Sequence, residues 1–100
     1  MSNDFADYYL ERTISASKEQ GIDDLIIALE KNGITATSEQ TGGFTMCAFF
    51  KLKDNKYIYA NTTGAGVYDE EGFETDLINL DDSDIELVAK TVAEWIKVNN

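Results

Sequence analysis

The stretch 44-FTMCAFFKLKDNKYIYANT-62 decides the fold. Its first nine residues alternate, with Phe44, Met46, Ala48, Phe50 and Leu52 on one side and Thr45, Cys47, Phe49 and Lys51 on the other. A period of two is that of a β-strand. The tripeptide "KDN" then supplies turn-forming residues, and "KYIYANT" returns as a second strand, so the stretch reads as a β-hairpin. In the returning strand Ile58 and Ala60 share one side, Tyr57 and Tyr59 the other. If the Ile58 side packs on helices, the two tyrosines face outward beside Phe49 and Lys51.

Working outward from this hairpin, "ITATSEQ" (34–40) reads as a preceding strand, joined to it by a turn at Thr41-Gly42-Gly43. Downstream, "GVYDEEGFETDLI" (66–78) reads as another hairpin with its tip at Asp69 to Gly72. The sheet is therefore expected to be an antiparallel meander of three to five strands. Ahead of it, Ile22, Leu25, Ile26 and Leu29 recur at helical spacing, with Asp23 and Asp24 in the first turn, where the helix dipole favours anions, and Asn32-Gly33 as a left-handed stop. An earlier helix is expected from Asn3 to about Lys18, with Ser2 or Asn3 as its cap and Phe5, Tyr9, Arg12 and Ala16 on one face. A last helix is expected from Ser83, with Ser83 and Glu86 as a capping box and Ile85, Val88, Val92 and Ile96 at helical spacing. The order α-α-β-β-β(-β)-α defines an α+β domain whose helices cover one face of the sheet. The expected core is Ile22, Leu25, Ile26, Leu29, Phe44, Met46, Phe50, Val88, Val92 and Ile96.

The chain has 100 residues, enough for a single domain with its own core, and 43% of them are hydrophobic, as in ordinary globular proteins. It contains no proline, no repeat and no Gly/Ser-rich linker. With one cysteine, Cys47, no intrachain disulfide can form. The N-terminal "MSNDFADYYLERT" lacks the basic region and apolar run of a signal peptide, and no apolar run reaches the length of a membrane span, so a cytoplasmic protein is expected.

Nineteen acids stand against eight bases, for a net charge of −11. From Tyr57 to Ala89 there are nine acids and no base, while the remaining 67 residues carry ten acids and eight bases. Nearly the whole net charge thus lies in one third of the chain. A solvated face and helix-capping preference account for part of this bias, yet a solvated face gains from mixed signs and this one has none. Such a balance argues against direct binding to nucleic acid or to anionic membranes, which requires cationic groups. It suits a protein partner with a basic groove, toward which concentrated charge steers encounter. The residues expected to meet that partner are Asp69, Glu70, Glu71, Glu74, Asp76, Asp81, Asp82 and Asp84, each pairing with a Lys or Arg. Tyr57 and Tyr59 join them as contact aromatics, since tyrosine is enriched in binding hot spots.

Catalytic patterns are missing. There is no histidine, which removes the commonest general base and the Ser-His and Cys-His nucleophile pairs. Cys47, mid-strand with no cation beside it in sequence, reads as a structural thiol. "TTGAG" (62–66) leads into an acidic strand rather than a helix and lacks the lysine of a phosphate loop, so it reads as a turn or bulge. "NLDDSDIE" (79–86) fails as a calcium loop: counted from Asn79, its sixth residue is Asp84 where glycine is needed and its twelfth is Lys90 where glutamate is needed. No catalytic residue, metal or cofactor is expected.

Small size, acidity and the lack of catalytic residues resemble the small acidic inhibitors that phages direct against host nucleases, the anti-CRISPR and anti-restriction DNA mimics. The pattern "GITATSEQTGGFTMCAFFKLKDNKYIYA" (33–60) also resembles small phage proteins with a "TGG" turn between strands. The resemblance implies a non-enzymatic inhibitor acting in the host cytoplasm on a nuclease or other nucleic-acid-binding protein, and carries over no individual residue. An immunity protein that neutralises a toxin nuclease would use the same electrostatics. A structural accessory domain would instead join its copies through the Tyr57/Tyr59 face, so either a monomer or a small homo-oligomer fits.

Overall fold

In the computed structural model, which describes residues 18–42 and 45–99, helix α1 (Ile22–Lys31) is followed by strands β1 (Thr37–Gly42), β2 (Thr45–Lys51), β3 (Tyr57–Asn61), β4 (Gly64–Asp69) and β5 (Gly72–Asn79), and then by helix α2 (Ile85–Asn99). The strands form one antiparallel sheet in the order β1-β2-β3-β4-β5. Both helices lie on the same face, α1 over β1 and β2, α2 over β3, β4 and β5. This is the α+β architecture expected, with one difference. Among the described residues one helix, not two, precedes the strands; the helix expected from Asn3 to about Lys18 falls, but for its last residue, outside them.

Local signals account for most element ends. Helix α1 stops at a full Schellman motif. Gly33 takes φ +87°, the Ile34 N–H donates to the Leu29 carbonyl at 2.9 Å, and the Gly33 N–H donates to the Glu30 carbonyl at 3.0 Å. Ile34, just past the stop, is buried against the core. Between β2 and β3, Asp54 and Asn55 both have φ 60°, the type I′ geometry that matches the twist of a hairpin. The Lys56 N–H closes that turn on the Lys53 carbonyl. Three boundaries differ from the sequence reading. Strand β4 begins at Gly64, inside the stretch 62–66 read as a turn or bulge, because Gly64 and Ala65 pair with Asn61 and Ala60. Strand β1 begins at Thr37 rather than Ile34, and Thr41 and Gly42 belong to it, Gly42 pairing with Thr45. The cap of α2 is Asp84, whose Oδ1 accepts from the Leu87 N–H at 3.1 Å, and not Ser83. Ser83 is engaged elsewhere: its hydroxyl bonds that of Thr62 at 2.9 Å.

The core lies between the helices and the inner sheet face. Ile22, Leu25, Leu29, Met46, Val88 and Val92 are buried as expected, while Ile26, Phe50 and Ile96 are partly buried against them. Phe44 lies outside the described residues. Ile58 and Val67 complete the inner face. Three small residues sit side by side on it, Ala48 opposite Ala60 and Ala60 opposite Ala65, all buried. A floor this shallow lets the helices approach closely, and each fully buried aliphatic side chain contributes about 1.5–3 kcal/mol.

The β4–β5 pair is irregular twice. Ala65 faces Ile78, yet Gly66 faces Asp76, which leaves Leu77 as an extra residue; Val67 faces Thr75 and Tyr68 faces Phe73, which leaves Glu74 as another. An extra residue reverses the alternation of sides. Ile78 and Leu77 both pack against the core. Strict alternation from Ile78 would send Asp76 inward as well. The bulge at Leu77 turns it outward instead, and Asp76 is exposed.

Candidate functional site

The outer sheet face carries a ladder of aromatic rings. Phe49 stands opposite Tyr59, and Tyr57 opposite Tyr68. Cross-strand register therefore brings together four rings from three strands. Tyr57 and Tyr68 stack at 6.1 Å with planes 7° apart, and Tyr57 and Tyr59 meet edge-on at 5.2 Å. Phe49 lies 5.6 Å from Tyr57 and 5.4 Å from Tyr59. Such pairs contribute about 0.5–1.5 kcal/mol each beyond their buried area. All four residues remain partly exposed. Tyr57 and Tyr59 thus face outward beside Phe49, as the sequence implied.

Cys47 sits on the same side of β2, one alternation from Phe49, but is buried, and its thiol donates to the Glu39 carbonyl at 3.5 Å. Burial, reinforced by the Glu39 carboxylate, pushes the thiol up to about 11 from its ordinary 9.0. A thiol held protonated is a poor nucleophile. The Tyr59 phenol is also pushed up, first by burial and then by Cys47, Tyr57, Glu39 and Tyr68 around it.

The acidic residues follow the edge strand β5. Asp69, Glu70 and Glu71 form the β4–β5 tip, where the Asp69 carboxylate accepts from the Glu71 N–H at 2.9 Å and the left-handed step falls on Gly72. Glu74 lies at the second bulge, and Asp76 faces outward mid-strand. Asp81, Asp82 and Asp84 are exposed in the loop before α2. That loop is fastened to the β3–β4 turn, since the Leu80 N–H donates to the Thr63 carbonyl and the Asp84 N–H to the Thr62 carbonyl. The two groups therefore stand at opposite ends of an eight-residue strand, roughly 24 Å apart at about 3.4 Å per residue. This exceeds the screening length of about 8 Å at physiological ionic strength. The one-sided stretch of sequence is a line of charge rather than a single patch.

Only one end of that line touches the aromatic ladder. The Tyr57 hydroxyl donates to the Asp69 carbonyl at 3.3 Å, so rings and hairpin tip form a continuous surface. The sequence did not single out Gly64 and Gly66, which alternate on β4 and leave the outer face without side chains between β3 and β5. The spacing of those two glycines within "TTGAG" was the available signal.

Among the described residues, no group of three or more Cys, Asp or Glu side chains converges as a metal ion requires. No described helix is long and apolar enough to cross a membrane. No protein family, no curated protein and no solved structure matches the chain.

Proposed function

We propose that the protein binds, without catalysis, to a basic and nucleic-acid-binding site on another protein and blocks it. The observation that carries this reading is the continuity of the aromatic ladder with the acidic tip through Tyr57 and Asp69. An interface of aromatic centre and charged rim is the usual anatomy of specific protein recognition. From the tip, the acids of β5 and of the loop after it spread over roughly 24 Å, a length on which duplex DNA would place roughly 14 phosphates. The contact residues are Tyr57, Tyr59, Asp69, Glu70, Glu71, Glu74 and Asp76. Asp81, Asp82 and Asp84 reach a second cationic patch on an extended groove. A phage inhibitor of a host nuclease and an immunity protein against a toxin nuclease both fit this surface.

The test is capture of the partner from cells at low salt, followed by elution with heparin, a soluble polyanion. Elution by heparin, and loss of capture when Asp69, Glu70, Glu71 and Glu74 become amides, is the expected result. Capture that resists both overturns the reading.

A second reading rests on the same rings, which would join copies of this chain face to face. The net charge of −11 opposes it by repulsion. Sedimentation at rising protein concentration separates the two, because self-association through the rings strengthens with added salt and binding to a basic partner weakens.

A further inference from the structure

Beside the aromatic ladder lies an open cavity of about 470 Å³, within the size range of small-ligand sites. The register explains it. Tyr59 faces Gly66 and Gly66 faces Asp76, so the three residues form one row across β3, β4 and β5. Gly66 places no side chain between the tyrosine ring and the carboxylate. Their backbones are two strand spacings apart, about 10 Å; Gly66 itself is buried, and a flat group enters above it, between the ring and the carboxylate. One step along, Asn61, Gly64 and Asn79 form the next row, where the β5 backbone lies directly against Gly64. Tyr68, edge-on to Tyr59 at 5.4 Å, supplies a second ring to the wall. No Lys or Arg is among the described lining residues.

We infer that this cavity binds a guanidinium group, seated against the Tyr59 ring and paired with the Asp76 carboxylate. Three features select that chemistry. Electron-rich ring faces attract cations. A single carboxylate supplies the opposite charge and can accept two parallel N–H bonds from a planar fork. The amide oxygen of Asn79 and the hydroxyl oxygen of Thr63 add acceptors for a head group with five donors, more than an ammonium needs, while the Asn61 amide oxygen is already taken by the Thr63 N–H and hydroxyl at 2.9 and 3.0 Å. The bulge at Leu77 is what aims Asp76 into this row. The guanidinium can belong to an arginine side chain of a protein or to a free guanidino compound, and the inference holds whether or not the acidic edge meets a basic partner.

The test is a titration of the intact protein followed by amide chemical shifts, with acetyl-Gly-Arg-Gly-amide and agmatine as probes. The citrulline and lysine versions of the peptide serve as neutral and ammonium controls. Shifts confined to Tyr59, Thr63, Gly66, Asp76, Asn79 and their immediate neighbours in the cavity wall are expected. Tighter binding of the arginine peptide assigns the site to a side chain, and tighter binding of agmatine to a free compound. Asp76→Asn should weaken the favoured probe at least about tenfold, consistent with loss of a charge-assisted bidentate pair. Tyr59→Leu should weaken it about threefold or more and Tyr59→Phe about twofold at most, since the ring face carries the attraction. Asp24→Asn removes the same charge from an exposed position of α1, which packs on the other face of the sheet, and should change nothing. The inference is overturned if neither probe binds, if Asp76→Asn binds as the parent does, if the citrulline or lysine peptide binds equally well, or if the shifts spread over every acidic residue. Such a failure would leave the heparin elution and the tetra-amide result untouched.

Discussion

The phenol of Tyr57 on β3 donates to the main-chain carbonyl of Asp69 at the far end of β4, 3.3 Å away, while its ring stacks on that of Tyr68. One side chain thus anchors the acidic hairpin tip to the middle of the sheet. Tyr57→Phe keeps the ring and removes the bond. It should cost about 0.5–1 kcal/mol, the lower part of the range for a net hydrogen bond, since this one is long and partly exposed. Tyr57→Ala should cost more, because it also abolishes three ring contacts. Urea unfolding of both variants measures the difference. Equal losses would mean that the ring contacts contribute nothing, and an unchanged Tyr57→Phe would mean the same of the hydroxyl.

Leu29 tests the core. It is 1% exposed and lies on the face that α1 turns toward the sheet and α2. Leu29→Ala should cost about 2–5 kcal/mol, from lost transfer energy plus the cavity left behind. Ile27, on the opposite side of the same helix, is 51% exposed. Ile27→Ala should stay within about 0.5 kcal/mol, as surface substitutions generally do. Comparable losses at the two positions would contradict the helix-on-sheet packing.

How much of this could be read in the sequence depends on how local each signal was. The β2–β3 hairpin was legible because alternation and turn chemistry sit within nineteen consecutive residues, and the outward facing of Tyr57 and Tyr59 followed from it. Helix α1 and its Gly33 stop were legible for the same reason. The cap of α2 was misread because Ser83 and Asp84 both suit the role, and what decides between them is Thr62, far away in sequence. The outward turn of Asp76 was not legible at all. It depends on a register shift between β4 and β5, a property of the pairing and not of either strand. Likewise, a count of charges could not reveal that Asp69 and Asp82 stand at opposite ends of a strand.

Cys47 gives a pH dependence of known sign. The folded thiol is pushed up to about 11 from 9.0. The unfolded chain therefore loses the proton first as pH rises, and stability falls with pH in that window. The contribution is fully present below pH 9 and is lost as pH approaches 11, with a slope of at most about 1.4 kcal/mol per pH unit. Unfolding midpoints at pH 7.5 and 10.5 should therefore differ more for the parent than for Cys47→Ala. At neutral pH the folded protein should resist alkylation by iodoacetamide, with Cys47 labelled at the rate of opening. Prompt labelling of the folded state would show the thiol to be accessible and ionisable.

Gly64 should tolerate no side chain. A Cβ there would lie 2.7 Å from the Ile78 carbonyl oxygen, so the β5 backbone must shift to admit it. Gly64→Ala should cost about 1–3 kcal/mol, as overpacking does elsewhere. At Gly33, where a Cβ meets nothing within 4 Å, the penalty comes from φ +87° alone, so Gly33→Asn, which accepts left-handed geometry, should be milder than Gly33→Ala. The paired comparison separates crowding from backbone strain: Gly64→Asn should be no milder than Gly64→Ala.

The acidic edge carries the functional proposal, and its prediction turns on salt. Exposed charges are screened beyond about 8 Å at physiological ionic strength, so affinity for a basic partner must fall as salt rises. Association should slow more than dissociation quickens, because long-range steering acts on encounter. The substitutions Asp69→Asn, Glu70→Gln, Glu71→Gln and Glu74→Gln remove charge at the tip while keeping side-chain size. Asn at position 69 retains the oxygen that accepts from the Glu71 N–H, so the turn should persist, and the fold should keep or gain stability as repulsion falls. Binding should be lost in this variant. The triple change at Asp81, Asp82 and Asp84, roughly 24 Å away along the strand, should weaken binding less, because it leaves the surface joined to the rings intact. Asn at position 84 keeps an acceptor for the Leu87 N–H, so α2 retains its cap. Surface plasmon resonance against the captured partner at three salt concentrations reads both rates. Tight binding that ignores salt and survives the four tip amides would end the polyanion reading and move the contact to the rings of Phe49, Tyr57, Tyr59 and Tyr68.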